Sequence, residues 1–194
     1  LDAWLASGQT ADFISLGGSG EPTLHTGFGD VLQYLRAHCS IRTALLTNAS
    51  LLHLPEVRAA ACGAHVIKAS LSTVDRASLA AINRPAEPLT SESILQGLYA
   101  LRREYHGEIW LEIFLVAGVN ADLASVRRLA EAARLIRPDR IHLNTAVRPA
   151  AEADVRPVGQ TTLNEFTTLF EPTAEVIAEY ARGAVGGVTD LAAL

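Results

Sequence analysis

The residues best suited to chemistry in this chain stand where short apolar runs end. The run Phe13–Leu16 empties into Gly17-Gly18-Ser19-Gly20-Glu21-Pro22-Thr23, several flexible backbone units followed by a carboxylate. Glycine lets a backbone approach a ligand closely, and Pro22 then fixes the direction of exit. The same stretch also fits an ordinary glycine-rich turn from strand to helix. Lys68, Ser70 and Ser72 alternate along one predicted strand and therefore share a face. They either meet the polar groups of a ligand or form a solvated rim. Glu112 falls inside the otherwise apolar WLEIFLV. A buried carboxylate needs a partner, so Glu112 is a ligand contact inside the fold or one half of a paired structural charge. Asn48 follows the run Thr43–Leu46, and Asn144 closes a later strand with Arg148 in the loop after it.

Metal chemistry finds little support. The two cysteines, Cys39 and Cys62, belong to no close-spaced ligand motif, and both fall in apolar helical patterns where free thiols are commonly buried. The six histidines form no metal-ligand spacing. His142 alone is kept as a further candidate, because it lies one strand step from Asn144 on the same face.

These residues need a scaffold, and the hydrophobic pattern supplies one. Strands are predicted at Phe13–Leu16, Thr43–Leu46, His65–Leu71, Ile109–Val116 and Arg140–Leu143. Between them Leu32, Leu35 and His38 recur at helical spacing, as do Ile94, Leu98 and Leu101, and then Leu123, Val126, Leu129, Ala130 and Ala133. A last helix is predicted over Thr162–Tyr180, with Pro172 as a bend or break. Strand and helix in strict alternation mark an α/β fold with a parallel sheet or barrel, whose strand ends all lie on one rim.

The chain of 194 residues is about one domain in size, and 49% hydrophobic against 19% charged residues fits a large core. A net charge of −5 argues against a nucleic-acid surface in this stretch. No apolar run reaches membrane-spanning length and no signal peptide is apparent, so a cytoplasmic protein is expected. Methionine is absent altogether, which suggests a piece cut from a longer protein. The domain organisation expected is one barrel over about residues 10–160, a helical segment over about 161–181, and a flexible Gly- and Ala-rich tail.

Five segments resemble the radical S-adenosylmethionine (SAM) superfamily in order. GSGEPTL at 18–24 resembles its Gly-Gly-Glu-Pro element, and LLTNASLL at 45–52 its third strand and T-N-G-[ST] turn. VIKASLSTVD at 66–75 resembles its fourth strand, WLEIFLVAGVN at 110–120 its fifth, and RIHLNTAVRPAAE at 140–152 its sixth. The nearest branches are the wyosine-tRNA-modifying and glycyl-radical-activating enzymes. The superfamily's C-x-x-x-C-x-x-C, which holds a [4Fe–4S] cluster, does not occur in the chain. Ser19 replaces the motif's first glycine, Ala49 stands where the turn usually has glycine, and Ala150 replaces a proline. A positive φ at Ala49 would be strained.

The resemblance implies a partial (β/α) TIM-like barrel of about five parallel strands, equivalent to strands two to six of the family's six-stranded core. It implies SAM as cofactor, with a [4Fe–4S] cluster in the intact protein. The cluster would reductively cleave SAM to a 5′-deoxyadenosyl radical that abstracts hydrogen from an unknown substrate. The isolated chain would then be inactive. The Gly20 carbonyl and Glu21 suit the ammonium group of SAM, while Lys68, Ser70 and Ser72 suit its carboxylate or ribose. Asn48, Glu112, Asn144 and Arg148 complete the expected pocket. The substrate would be a small molecule, an RNA or a protein, and the electron donor a flavodoxin or ferredoxin. Self-association through an open barrel edge is expected, because β pairing would be incomplete there. Two other readings remain open: a metal-independent barrel lyase or aldolase with Lys68 as Schiff-base nucleophile, and a non-catalytic binding module.

Overall fold

The computed structural model describes residues 2–86, 88–147 and 155–178. The strands are β1 (Phe13–Leu16), β2 (Arg42–Thr47), β3 (Val66–Ser70), β4 (Glu108–Leu115), β5 (Arg140–Thr145) and β6 (Glu175–Val176). The helices are α1 (Asp2–Ala6), α2 (Phe28–His38), α3 (Pro55–Ala61), α4 (Arg76–Ile82), α5 (Ser91–Glu104), α6 (Leu123–Ile136) and α7 (Gln160–Thr167). All six strands among the described residues pair in parallel, in the sequential order β1-β2-β3-β4-β5-β6. Sequential order without a reversal is the arrangement of a barrel wall, not of a doubly wound sheet.

The last strand corrects the expectation of a helix running through Thr162–Tyr180. Helix α7 stops at Thr167, and the chain returns to pair Glu175 with His142 and Val176 with Leu143. The apolar spacing of Leu163 and Phe166 is helical, but beyond it only Val176 and its neighbours reach the sheet edge, where backbone pairing decides the conformation. Tyr180, the tail Arg182–Leu194 and Ala150 lie outside the described residues.

The pairing register separates the sheet into two chemically distinct faces. Leu45, Ile67, Leu111, Ile113 and Leu143 point one way, are fully buried, and share one core with Leu32, Leu98, Leu101, Leu129 and Ala133 of the helices. Lys68, Ser70, Trp110, Glu112, His142 and Asn144 alternate with them and face the lumen. Strand β4 carries this division in its alternating burial, although WLEIFLV reads as apolar almost throughout.

Local sequence explains the helix ends that set loop positions. Asp122 caps α6 by accepting from the Ser125 N–H at 2.9 Å. Thr90 and Ser93 form a reciprocal cap on α5. Gly97 in α5 lies against the backbone of the loop after β2, where a Cβ would come within 2.6 Å of the Leu52 carbonyl carbon and the His53 nitrogen. Only glycine admits that approach. It seats the loop that carries Asn48.

Candidate functional site

The opening glycine-rich segment leaves β1 at the C-terminal rim and folds its carboxylate back onto the next strand. Glu21 Oε1 accepts from Thr23 N (3.1 Å), Thr23 Oγ1 (2.6 Å) and Thr47 Oγ1 (2.6 Å). Its other oxygen, Oε2, accepts from the Asn48 backbone N–H at 2.6 Å. Glu21 therefore locks the end of β1 to the end of β2 and caps the short 3₁₀ turn Pro22–Leu24. Oε1 is filled, whereas Oε2 keeps lone-pair capacity for a further donor. Gly20 stands in open space, for a Cβ built on it meets nothing within 4 Å.

Thr47 extends the lock by accepting from the Ala49 N–H at 3.1 Å. Ala49 adopts a positive φ, 64°, in the turn where the resembling family usually has glycine, and is fully buried. The loop beyond is anchored from the side by Arg58, whose guanidinium donates to the Leu52 and His53 carbonyls at 2.9 and 3.0 Å. The same guanidinium grips Glu104 of α5 at 2.8 and 2.9 Å. Asn48 is thus held by backbone and by loop. Its Oδ1 accepts from the Ser50 N–H at 2.9 Å, which leaves the amide N–H2 available to a ligand.

Across the lumen face Lys68 pairs with Glu112. Glu112 also accepts from Asn144 Nδ2 at 3.1 Å, and Asn144 Oδ1 accepts from the Thr145 N–H at 2.9 Å. Burial pushes the Glu112 carboxyl up, but the hydrogen bonds from Lys68 and Asn144 and the charge of Lys68 outweigh it and hold it below the usual range. The pair holds the Lys68 side chain against Glu112 on the lumen face.

A cavity of about 400 Å³ joins these parts, lined by Gly17, Gly18, Gly20, Glu21, Asn48, Lys68, Ser70 and Glu112 with neighbouring backbone. Six of the residues singled out in the sequence, Gly20, Glu21, Asn48, Lys68, Ser70 and Glu112, meet there. Asn144 lies one hydrogen bond behind, on Glu112. Ser72 follows the end of β3, is buried, and does not line the cavity. Its carbonyl accepts from Asn120 Nδ2 at 2.6 Å, in a pin that also holds the Phe114 carbonyl and the Val116 N–H. Period-two alternation would keep Ser72 on the lumen face only if the strand continued, and β3 ends at Ser70. Arg148 lies outside the described residues.

A larger cavity of about 680 Å³ shares Glu21 and Asn48 with the first and is walled by Leu24, Leu51, His53 and Ile94 among others. Thr23 and Thr47, the donors that fix Glu21, were not foreseen. Threonines two residues beyond Glu21 and one before Asn48 were the available signal. Cys39 and Cys62 are free thiols that cap the ends of α2 and α3 away from this rim. Among the described residues no group of three or more His, Cys, Asp or Glu is placed to hold a metal ion, and no helix is long and apolar enough to cross a membrane.

No protein-family model matches the chain. A UPF0026 protein of Synechocystis sp. is 30% identical over 184 residues, covering 90% of this chain and 69% of that protein. The chain belongs to the UPF0026 family. A UPF0026 protein of Methanocaldococcus jannaschii is 27% identical over 162 residues, which are 84% of this chain and 50% of that relative. A Brachyspira hyodysenteriae protein named GTPase Obg is 25% identical over 192 residues, of which this chain covers only 28% of the relative's length. The UPF0026 chain has no G-x-x-x-x-G-K-[ST] phosphate loop of its own. The chain spans 28% of the length of the Brachyspira relative and 50% of that of the Methanocaldococcus relative.

Solved structures agree on the fold of the UPF0026 chain. A domain of a pyruvate-formate lyase-activating enzyme from Bacteroides vulgatus superposes with a TM-score of 0.67 at 20% identity, covering 86% of this chain and 98% of that one. A radical SAM methyltransferase from Sphaerobacter thermophilus superposes with a TM-score of 0.60 at 18% identity, covering 94% of this chain and 55% of that one. The chain shares the parallel α/β barrel-type architecture of these two proteins.

Proposed function

We propose that this chain is the barrel portion of a radical SAM enzyme and that the cavity at Glu21 receives the amino-acid end of SAM. The observation that carries the reading is the state of Glu21. Its Oε1 is consumed by the fold, while Oε2 accepts one N–H donor and keeps spare lone pairs, on a residue that lines the cavity. An ammonium group is the natural second donor to that oxygen. The open backbone at Gly18 and Gly20 leaves room for it.

The rest of the cavity fits the remaining groups. Lys68 spends one N–H on Glu112 and keeps others for a carboxylate, and the Ser70 hydroxyl and the Asn48 amide offer hydrogen bonds to hydroxyls. Glu112, fixed by Lys68 and Asn144, keeps Lys68 in place. When reductively cleaved, SAM supplies a radical that abstracts hydrogen from a substrate. The contribution of this chain is to bind, orient and shield the cofactor. The described residues do not fit a [4Fe–4S] cluster, since the whole chain has two cysteines and they stand apart from the rim.

The test is binding of SAM to this chain by NMR, with the glycine and Asn48 amides as reporters. Saturable shifts at Gly18, Gly20 and Asn48 are expected. In a longer protein that contains this domain, E21A removes a charge-assisted partner of ~1.5–3 kcal/mol, so SAM binding should weaken about ten- to hundredfold. Unchanged binding in E21A would place the ammonium elsewhere and overturn the reading.

A further inference from the structure

The lumen face below the rim holds a feature that the SAM reading leaves unused. His142 on β5 is 8% exposed, and its Nδ1 is buried with no hydrogen-bond partner. It is the buried side-chain nitrogen or oxygen of which this is true among the described residues. Buried polar atoms are nearly always paired, and an unpaired one destabilises the fold that keeps it. A leucine of similar volume would fill the space without that penalty. The ring stands edge-on to Trp110, with centroids 5.7 Å apart, and lies in register with Glu112 on one side and Glu175 on the other.

The charges around it cancel. The lumen face carries Arg42, Lys68 and Arg140 against Glu108, Glu112 and Glu175. Lys68 is paired with Glu112 and Arg42 with Glu108, and Arg140 lies 5.1 Å over the Trp110 ring. Arg140 and Glu175 act on the ring with opposite signs, so a ligand of either charge gains from one and loses to the other. A neutral one would meet an unpaired imidazole nitrogen beside an indole.

We infer that His142 and Trp110 form a ligand subsite in the barrel lumen for a neutral polar group that carries both hydrogen-bond donors and acceptors, as a diol or a carboxamide does. Trp110 packs against the carbon skeleton, and His142 completes the hydrogen bond that the protein leaves open. Because Nδ1 is sealed from water in the ligand-free barrel, binding is accompanied by a small turn of the ring. The subsite adjoins the cavity at Glu21, since Trp110 pairs with Lys68 and His142 with Glu112 in the ladder, and it does not depend on SAM occupying that cavity.

The test is NMR of this chain with the imidazole nitrogens of His142 and the indole N–H of Trp110 as reporters, and Trp4 as control. The probes are glycerol and acetamide as neutral groups, and acetate and methylammonium as charged groups of similar size at equal ionic strength. Saturable shifts at His142 and Trp110 with glycerol or acetamide are expected, and which of them binds separates a diol from an amide. H142L should abolish the shift at the Trp110 indole N–H and leave the Tm unchanged or higher. No saturable shift with either neutral probe would overturn the inference, as would an equal response to acetate or methylammonium. A Tm lower by more than about 5 °C in H142L would also overturn it, since the ring would then serve packing alone. Failure of SAM to bind at Glu21 would leave this result standing.

Discussion

Lys68 on β3 reaches diagonally along the ladder to pair with Glu112 on β4, for its direct neighbour is Trp110 and the residue opposite Glu112 is Ser70. Lys68 is also the sole lysine of the chain, every other member of its 16 Lys and Arg being arginine.

Breaking this pair from either side should cost stability without unfolding the domain. The two side chains are 23% and 19% exposed, between the surface and interior cases. K68M and E112Q should each lose about 1–3 kcal/mol, and the double variant less than the sum. Urea unfolding of the three variants measures the coupling, and strict additivity would show that the contact contributes nothing.

Thr47 should matter to the rim more than its size suggests. T47V removes the hydroxyl that donates to Glu21 and accepts from the Ala49 N–H. A loss of about 1.5–3 kcal/mol is expected, because the acceptor is charged. Hydrogen exchange at Thr23 and Asn48 should rise in the same variant. Protection unchanged at both amides would mean that Glu21 does not depend on Thr47.

Arg58 is 7% exposed and holds two loop carbonyls and Glu104 at once. R58M leaves those carbonyls without donors and should destabilise by about 2–4 kcal/mol. R58K should recover little of the loss, since an ammonium cannot reproduce the bidentate fork. Thermal unfolding of the two variants, with wild type, decides it.

The pH dependence of stability should carry a signature of His142. Burial, then the positive charge of Lys68, hold its pKa below the ordinary 6.5, while Glu175 and Glu112 act the other way and Arg140 adds to the lowering. The unfolded chain therefore binds this proton first as the pH falls. Its contribution is complete above about pH 6.5 and declines below it until the folded-state value is passed. Glu112, with a depressed carboxyl, loses its contribution only at lower pH, below about 4.5. The fall in Tm between pH 7.5 and 5.5 should be smaller in H142L than in wild type. Equal slopes would mean that His142 titrates alike in both states.

Much of the architecture was legible in the sequence. Five short apolar runs between amphipathic stretches required a parallel sheet with its strand ends on one rim, and the structure has them. Period-two spacing placed Lys68 and Ser70 on one face, since side-chain direction in a strand follows from covalent geometry.

Tertiary structure alone decided the rest. Whether Glu112 was a ligand contact or a paired charge depended on strand register, because Lys68 lies 44 positions earlier in sequence and the two meet only across the β3–β4 ladder. Ser72 left the lumen face because β3 ended two residues earlier than alternation required, under the pull of Asn120 from a distant loop. The strand β6 formed because an exposed sheet edge offered hydrogen bonds to a segment with little preference of its own. The unpaired nitrogen of His142 has no sequence signal at all, for an unmet hydrogen bond depends on every residue that does not reach it. Local pattern fixes which way a side chain points, and only the assembled fold fixes what it meets.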